Sequence, residues 1–198
     1  MIQPLAYIHP QAKIAETVVI EPFVTIYKDV VIGEGTWIGS NVTIMDGARI
    51  GKNCRIFPGA VVSAPPQDLK YKGEASTVTI GDNTIIRECV TLNRGTALDK
   101  NTTTIGSNCL LMAYVHIAHD CVIGNNVIIA NSVQLAGHIE VQDYAFIGGA
   151  SAVHQFVSIG AHSIISGGSL VRKDVPPYTK AGREPLSYVG INSVGLRR

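Results

Sequence analysis

Along this chain an aliphatic residue returns at every sixth position. The series runs through Ile8, Ile14, Ile20, Ile26, Ile32, Ile38, Ile44, Ile50, Ile56 and Val62, resumes at Ile80, Ile86 and Leu92, and continues in steps of six from Ile105 to Val171. That period matches neither the 3.6 of an amphipathic helix nor the 2 of a half-buried strand. It matches short strands joined by sharp turns. The residue after the aliphatic one is often glycine, as at Gly33, Gly51, Gly81, Gly106, Gly124 and Gly160. The fourth residue after it is small or β-branched, as at Thr36, Val42, Ala48, Cys54, Val127, Val133, Ser151 and Ser163.

Such hexads resemble those of an all-β fold, the left-handed parallel β-helix. Three hexads then close one triangular coil, and residues eighteen apart lie on one face in successive coils, about 4.8 Å from each other. The period alone does not fix the hand, and the left-handed crossover that the resemblance implies departs from the usual right-handed rule. Each inward Ile or Val contributes roughly 1.5–3 kcal/mol on burial, so functional residues are expected off these positions.

The series is interrupted twice. Between Val62 and Ile80 the phase survives, but its slots hold Asp68 and Glu74, so 63–77 reads as a loop leaving the prism. Between Leu92 and Ile105 the gap exceeds two hexads by one residue, which makes 93–104 a second excursion. Long loops in a compact repeat fold are usually functional or dispensable. The first, with a Pro-Pro bend, two carboxylates and two lysines, is the stronger functional candidate; the second equally suits packing against a neighbouring subunit. After Val171 no hexad is visible. The reading is a β-helix domain over 1–176 and the beginning of a C-terminal extension over 177–198.

Composition acts mainly by exclusion. Sixteen basic and fifteen acidic residues give a net charge of +1, without the basic excess of a nucleic-acid binder. No stretch approaches 18 uncharged apolar residues, so no membrane span is expected, and "MIQPLAYIHP" does not read as a secretory signal. From 171 onward, however, six basic residues stand against two acidic ones, a local surplus of four. That suits an anionic partner, or an ordinary solvated tail. Cys54, Cys109 and Cys121 fall in the small fourth-residue slot, with Cys89 one place earlier, and no CxxC pair occurs. They read as reduced, packed thiols, which points to a cytoplasmic setting.

Coil arithmetic then gathers the polar residues of "HIAHDCVIGNN", "LAGH" and "AVHQF". Ile117, Leu135 and Val153 lie on one face in three successive coils. Two residues past each come His119, Gly137 and Gln155, which form a column at one corner, with Asp120 beneath His138 and His154 beside Gln155. Histidine suits a general base near neutral pH. An adjacent carboxylate orients the ring, and a glycine brings an unobstructed backbone N–H near a developing oxyanion. No Ser or Cys stands beside His119 in sequence as a nucleophile, so direct attack by a substrate hydroxyl is the simpler chemistry. Three histidines from different coils could instead hold zinc with an open position, as in β-helix carbonic anhydrases. A non-catalytic scaffold is the remaining alternative.

The segments "HIAHDCVIGN", "LAGH", "AVHQF" and "PPQDLKY" together closely resemble the UDP-N-acetylglucosamine O-acyltransferase family of lipid A synthesis, over essentially the whole chain. The resemblance implies a homotrimer with active sites in clefts between subunits. There an R-3-hydroxyacyl group passes from acyl carrier protein to the sugar 3-hydroxyl, with no metal and no cofactor. It implies His119 as general base, Asp120 as its orienting partner and the Gly137 N–H as oxyanion donor. His116, His138, His154 and Gln155 would bind substrate or line the cleft. Gln67, Asp68 and Lys70 would contact the sugar nucleotide or the acyl donor. Asn192, Arg197 and Arg198 would meet the pantetheine arm, phosphates or the acidic carrier protein. Gly167, in "ISGGS", would leave the acyl-chain groove open to a long chain. The acyl length in carbons and a diamino analogue of the sugar stay open. The family's helical C-terminal domain is missing here, and Pro185 and Val194 depart from its pattern. The related N-acyltransferases carry an N-terminal uridine-binding domain, and hexads beginning within ten residues of Met1 make that the less expected reading.

Overall fold

The computed structural model describes residues 2–197. It is a left-handed parallel β-helix. Among the described residues the three faces of the prism are sheets of nine, eight and ten strands. Most strands are two residues long, and each pairs in parallel with the strand one coil away, as Ile117 does with Leu135 and Leu135 with Val153. The chain visits the nine-, eight- and ten-stranded faces in turn.

The hexad pattern produces this directly. The aliphatic position ends each strand and points inward, so Ile20, Ile56, Ile86, Leu111, Ile129 and Ile147 are fully buried. The small fourth-residue slot fills the corners: Thr36, Cys54, Thr84 and Ser151 are buried as well. Their hydroxyls cap main-chain oxygens across the corner, as Thr36 Oγ1 does for Gly51 O and Thr84 Oγ1 for Gly106 O. Most corners carry a residue with positive φ, a conformation costing about 1–2 kcal/mol for most side chains. Asparagine, which tolerates it best after glycine, stands there at positions 41, 53, 83, 108 and 126. Cys54, Cys109 and Cys121 are free and buried, whereas Cys89 is free and exposed at a positive-φ corner. Burial pushes the Cys121 thiol up to about 12.

Both excursions are present and narrower than the sequence suggests. Paired strands flanking the first are thirty residues apart, as for Val62 and Leu92, instead of eighteen. Twelve inserted residues keep the phase while leaving the prism. The strands run to Ala64 and start again at Thr77. Around the second excursion the spacing is twenty-five, as for Leu92 and Ile117. Asn93 belongs to one strand and Thr102–Ile105 form the next.

The C-terminal boundary differs too. The prism continues past Val171 and past the expected domain end at 176. Val175 bridges to Ile159, and Thr179–Gly182 pairs with Ile164–Ile165, placing Ala181 opposite Ile165. Val175 and Ala181 are buried. This last coil has sixteen residues instead of eighteen, and a step of six cannot detect it. Ser187–Ile191 then folds back antiparallel on Thr179–Gly182, followed by a short 3-10 turn at Gly195–Arg197.

Candidate functional site at one edge of the prism

The edge between the nine- and eight-stranded faces carries the positive-φ residues Asp120, His138 and Phe156 in successive coils. His138 N donates to His119 O, and Phe156 N to Gly137 O. His119, Gly137 and Gln155 therefore stack in the column that the eighteen-residue arithmetic predicts.

Asp120 is fully buried. Its Oδ2 lies 2.9 Å from His119 Nδ1. Thr96, from the second excursion, donates its N–H to Oδ1 at 3.0 Å and its hydroxyl to Oδ2 at 2.7 Å. Thr103 Oγ1 accepts from the Asp120 N–H. The Thr96 donors stabilise the carboxylate, and the carboxylate fixes His119 with Nδ1 occupied. Nε2 is then the ring nitrogen left for chemistry.

Gly137 packs directly against the imidazole. A Cβ there would lie 2.8 Å from His119 Cε1 and 2.9 Å from Nε2, closer than side chains come. The Gly137 N–H has no hydrogen-bond acceptor among the described residues, although its two neighbours in the coil, Ala136 and His138, both donate to main-chain oxygens. The same turn position also lacks a hydrogen-bond acceptor among the described residues at Ala113, Asn131 and Gly149, so what sets Gly137 apart is its contact with the imidazole. Gly137→Ala should leave the melting temperature near that of the native chain, because the change lies on an edge. It should lower turnover by about a hundredfold, since a displacement of about 1 Å at a reacting group costs that much. Paired melts and rates check this; an unchanged rate would contradict the tight fit.

His138 stands against this pair. Its ring meets His119 edge-on at 4.9 Å and stacks on Phe156 at 4.6 Å. Its Nδ1 lies 2.6 Å from Asp99 Oδ2. A cleft of about 460 Å³ opens beside it, lined by Asp68, Lys70, Thr96, Asp99, Lys100 and Phe156 among others. The two excursions are tied together: Arg94 Nε donates to Tyr71 Oη, and the Ala97 N–H to Glu74 Oε1.

The structure thus brings together His119, Asp120, Gly137, His138, Asp68 and Lys70, with His154 and Gln155 exposed on the same edge. Gln67 is exposed on the first loop and does not line the cleft. His116 sits on the flat outer side of the nine-stranded face, its Nδ1 2.8 Å from Thr91 Oγ1; burial lowers its pKa, which keeps the ring neutral near pH 7. Gly167 lies on a different edge, after the strand Ile164–Ile165 of the ten-stranded face. Asn192 is buried at the C-terminal end, donating to His162 O and accepting from Gly195 N. Arg197 is exposed in the 3-10 turn, and Arg198 lies outside the described residues. Thr96, Asp99, Lys100 and Phe156 are site residues that the sequence reading omits. Phe156 was within reach of the same arithmetic, one place past Gln155.

A metal reading can be weighed on the same atoms. His119, Asp120 and His138 offer ligand atoms within 4.8 Å of one another. The Asp120 oxygens, however, already accept from Thr96 and His119, so the carboxylate serves the imidazole and not a third coordination site.

Comparison with known proteins places this edge in context. Residues 29–64 and 102–137 match the family model described as bacterial transferase hexapeptide (six repeats). The chain is 57% identical over 204 residues to the acyl-[acyl-carrier-protein]--UDP-N-acetylglucosamine O-acyltransferase of Aliivibrio fischeri (strain MJ11), covering 100% of this chain and 78% of that protein. It is 48% identical over 198 residues to the protein of the same name from Janthinobacterium sp. (strain Marseille), with 76% of that protein covered. The crystal structure of a UDP-N-acetylglucosamine acyltransferase from Bacteroides fragilis 9343 superposes with a TM-score of 0.97 at 56% identity, over 100% of this chain and 77% of that one. The Francisella novicida acyltransferase gives 0.98 at 48% identity, over 100% and 73%.

Proposed function

Because the chain belongs to the acyl-[acyl-carrier-protein]–UDP-N-acetylglucosamine O-acyltransferase family, we propose that it moves an R-3-hydroxyacyl chain from acyl carrier protein to the 3-hydroxyl of UDP-N-acetylglucosamine, at the start of lipid A biosynthesis. The observation that carries the chemistry is the pairing of the oriented His119 imidazole with the unpaired Gly137 N–H.

His119 Nε2 takes the proton of the sugar hydroxyl as that oxygen attacks the thioester carbonyl. Asp120 stabilises the imidazolium that forms. The Gly137 N–H donates to the carbonyl oxygen as it becomes an oxyanion. The C–S bond then breaks, and the leaving thiolate takes the proton from His119. The transfer is direct. The one cysteine close by in sequence, Cys121, is fully buried with its thiol pKa raised to about 12, so it supplies no nucleophile.

His138, His154 and Gln155, with Asp68 and Lys70 from the first loop, hold the sugar nucleotide and the acyl donor; His116 supports the cleft from the adjoining face. Asn192, its amide committed to His162 and Gly195, anchors the tail that carries Arg197. Arg197, and Arg198 on sequence grounds, offer positive charge to pantetheine phosphate or to the acidic carrier protein.

The working unit is a homotrimer. Within one chain His119 and Gly167 lie on different edges, so a second copy is needed to set the acyl groove against the base. The outward column Leu110, Ile128, Phe146 and Ile164 on the ten-stranded face is an apolar wall suited to that contact or to the acyl chain. No helix among the described residues is long and apolar enough to cross a membrane, and the buried thiols suit a reducing cytoplasm.

Mass spectrometry of the product from the purified chain, acyl carrier protein thioesters and UDP-N-acetylglucosamine or its diamino analogue tests the reaction and the sugar together. Gly167 is exposed, and a Cβ there meets nothing closer than Gly149 O at 3.1 Å. Gly167→Met should therefore fold normally and shift the preferred donor to a shorter acyl chain. An unchanged chain-length profile would refute the groove assignment.

A further inference from the structure

Resting on the acyltransferase reading, we propose that Asp99 is a positioning residue for the sugar acceptor: it locks the His138 imidazole so that Nε2 is presented to the substrate. Three contacts hold the ring. Asp99 Oδ2 accepts at 2.6 Å from Nδ1, Phe156 stacks on one side at 4.6 Å, and the His119 ring meets it edge-on at 4.9 Å. With Nδ1 occupied, Nε2 is the only polar ring atom left, and it has no other partner among the described residues.

The geometry repeats the His119–Asp120 pair one coil on, with one difference. Asp120 adjoins its histidine in sequence, while Asp99 comes from the second excursion, thirty-nine residues away. Asp99 is also held at 3.0 Å by Lys100 Nζ. The His138 hydrogen bond, followed by Lys100, keeps its carboxyl below the usual range and therefore charged. A charged acceptor favours the tautomer with hydrogen on Nδ1, as it does for an oriented base or ligand histidine. Asp99, Lys100 and His138 all line the cleft that Asp68 and Lys70 enter from the first loop. The second excursion thus acts at two points. Its Thr96 orients the carboxylate behind the base, and its Asp99 orients the ring that meets the acceptor sugar.

The test uses the full chain with Asp99→Ala and Asp99→Asn. Nitrogen NMR of histidine-labelled protein should show His138 protonated on Nδ1 in the native chain. That signature should be lost in Asp99→Ala and largely kept in Asp99→Asn, whose amide oxygen still accepts. In steady-state assays Asp99→Ala should raise KM for UDP-N-acetylglucosamine about tenfold, the size of one charge-assisted hydrogen bond. KM for the acyl carrier protein thioester should change by less than about threefold, and Asp99→Asn should recover part of the loss. A merely structural role would lower the melting temperature and move both KM values together. An unaltered His138 signature with an unaltered sugar KM in Asp99→Ala would overturn the proposal. Absence of transfer by the native chain would instead overturn the acyltransferase reading, and the NMR signature would still decide the role of Asp99.

Discussion

His119→Ala should reduce kcat/KM for acyl transfer by roughly 10²–10⁴-fold, the usual contribution of a positioned general base, with little change in folding. The size follows from the site. The imidazole is held by a fully buried carboxylate that accepts from the Thr96 N–H and hydroxyl, while Thr103 Oγ1 holds the Asp120 main-chain N–H. His138, the nearest ring, also has its Nδ1 bound to a carboxylate; its Nε2 is the atom assigned to the acceptor sugar. The His119 side chain fills no slot of the inward six-residue series, so the prism still forms, although a group only 13% exposed and its bond to the buried Asp120 are lost. Parallel measurement of initial rates and thermal melts separates the two effects. Rates within a few-fold of native would remove His119 from the chemistry and leave a scaffold.

The second large effect concerns the frame. Ile129→Asp should prevent the chain from folding. Ile129 is fully buried, between Leu111 and Ile147 of the adjacent coils, both equally buried. The substitution loses roughly 1.5–3 kcal/mol of apolar burial and places a carboxylate where no donor can reach it, at a further cost of several kcal/mol. Together these approach the about 5–15 kcal/mol that stabilises an ordinary domain. In a stack whose coils touch only their neighbours, a charge at mid-height also separates the two ends. Ile129→Val, at about 0.5–1.5 kcal/mol, is the control. Circular dichroism should show strand signal and a cooperative melt for the valine variant and neither for the aspartate variant. A native-like melt for Ile129→Asp would mean that the six-residue series does not mark the core.

The two predictions draw on features of different legibility. The core was legible as far as Val171, because an inward residue every sixth position leaves a periodic trace that survives a twelve-residue insertion, twelve being a multiple of six. The column His119–Gly137–Gln155 was legible for the same reason: a constant coil length converts sequence distance into height. The final coil escaped because it has sixteen residues, so Val175 and Ala181 fall out of step. Thr96 and Asp99 escaped because residues 94–101 follow no repeat; nothing in "NRGTALDKNTTT" says which side chain turns back to the edge. Asn192 could be matched by resemblance, but its burial beneath His162 depends on an antiparallel hairpin that no hexad announces.

The central claim is that the sugar hydroxyl, activated by His119, attacks the thioester directly at the Gly137 edge. The most direct measurement is intact-protein mass spectrometry of the enzyme after incubation with an R-3-hydroxyacyl carrier-protein thioester, without and then with UDP-N-acetylglucosamine. The account predicts an enzyme of unchanged mass in both samples and, in the second alone, a sugar nucleotide bearing the acyl group on its 3-hydroxyl. An acylated enzyme in the first sample, or a sugar left unacylated in the second, would contradict it.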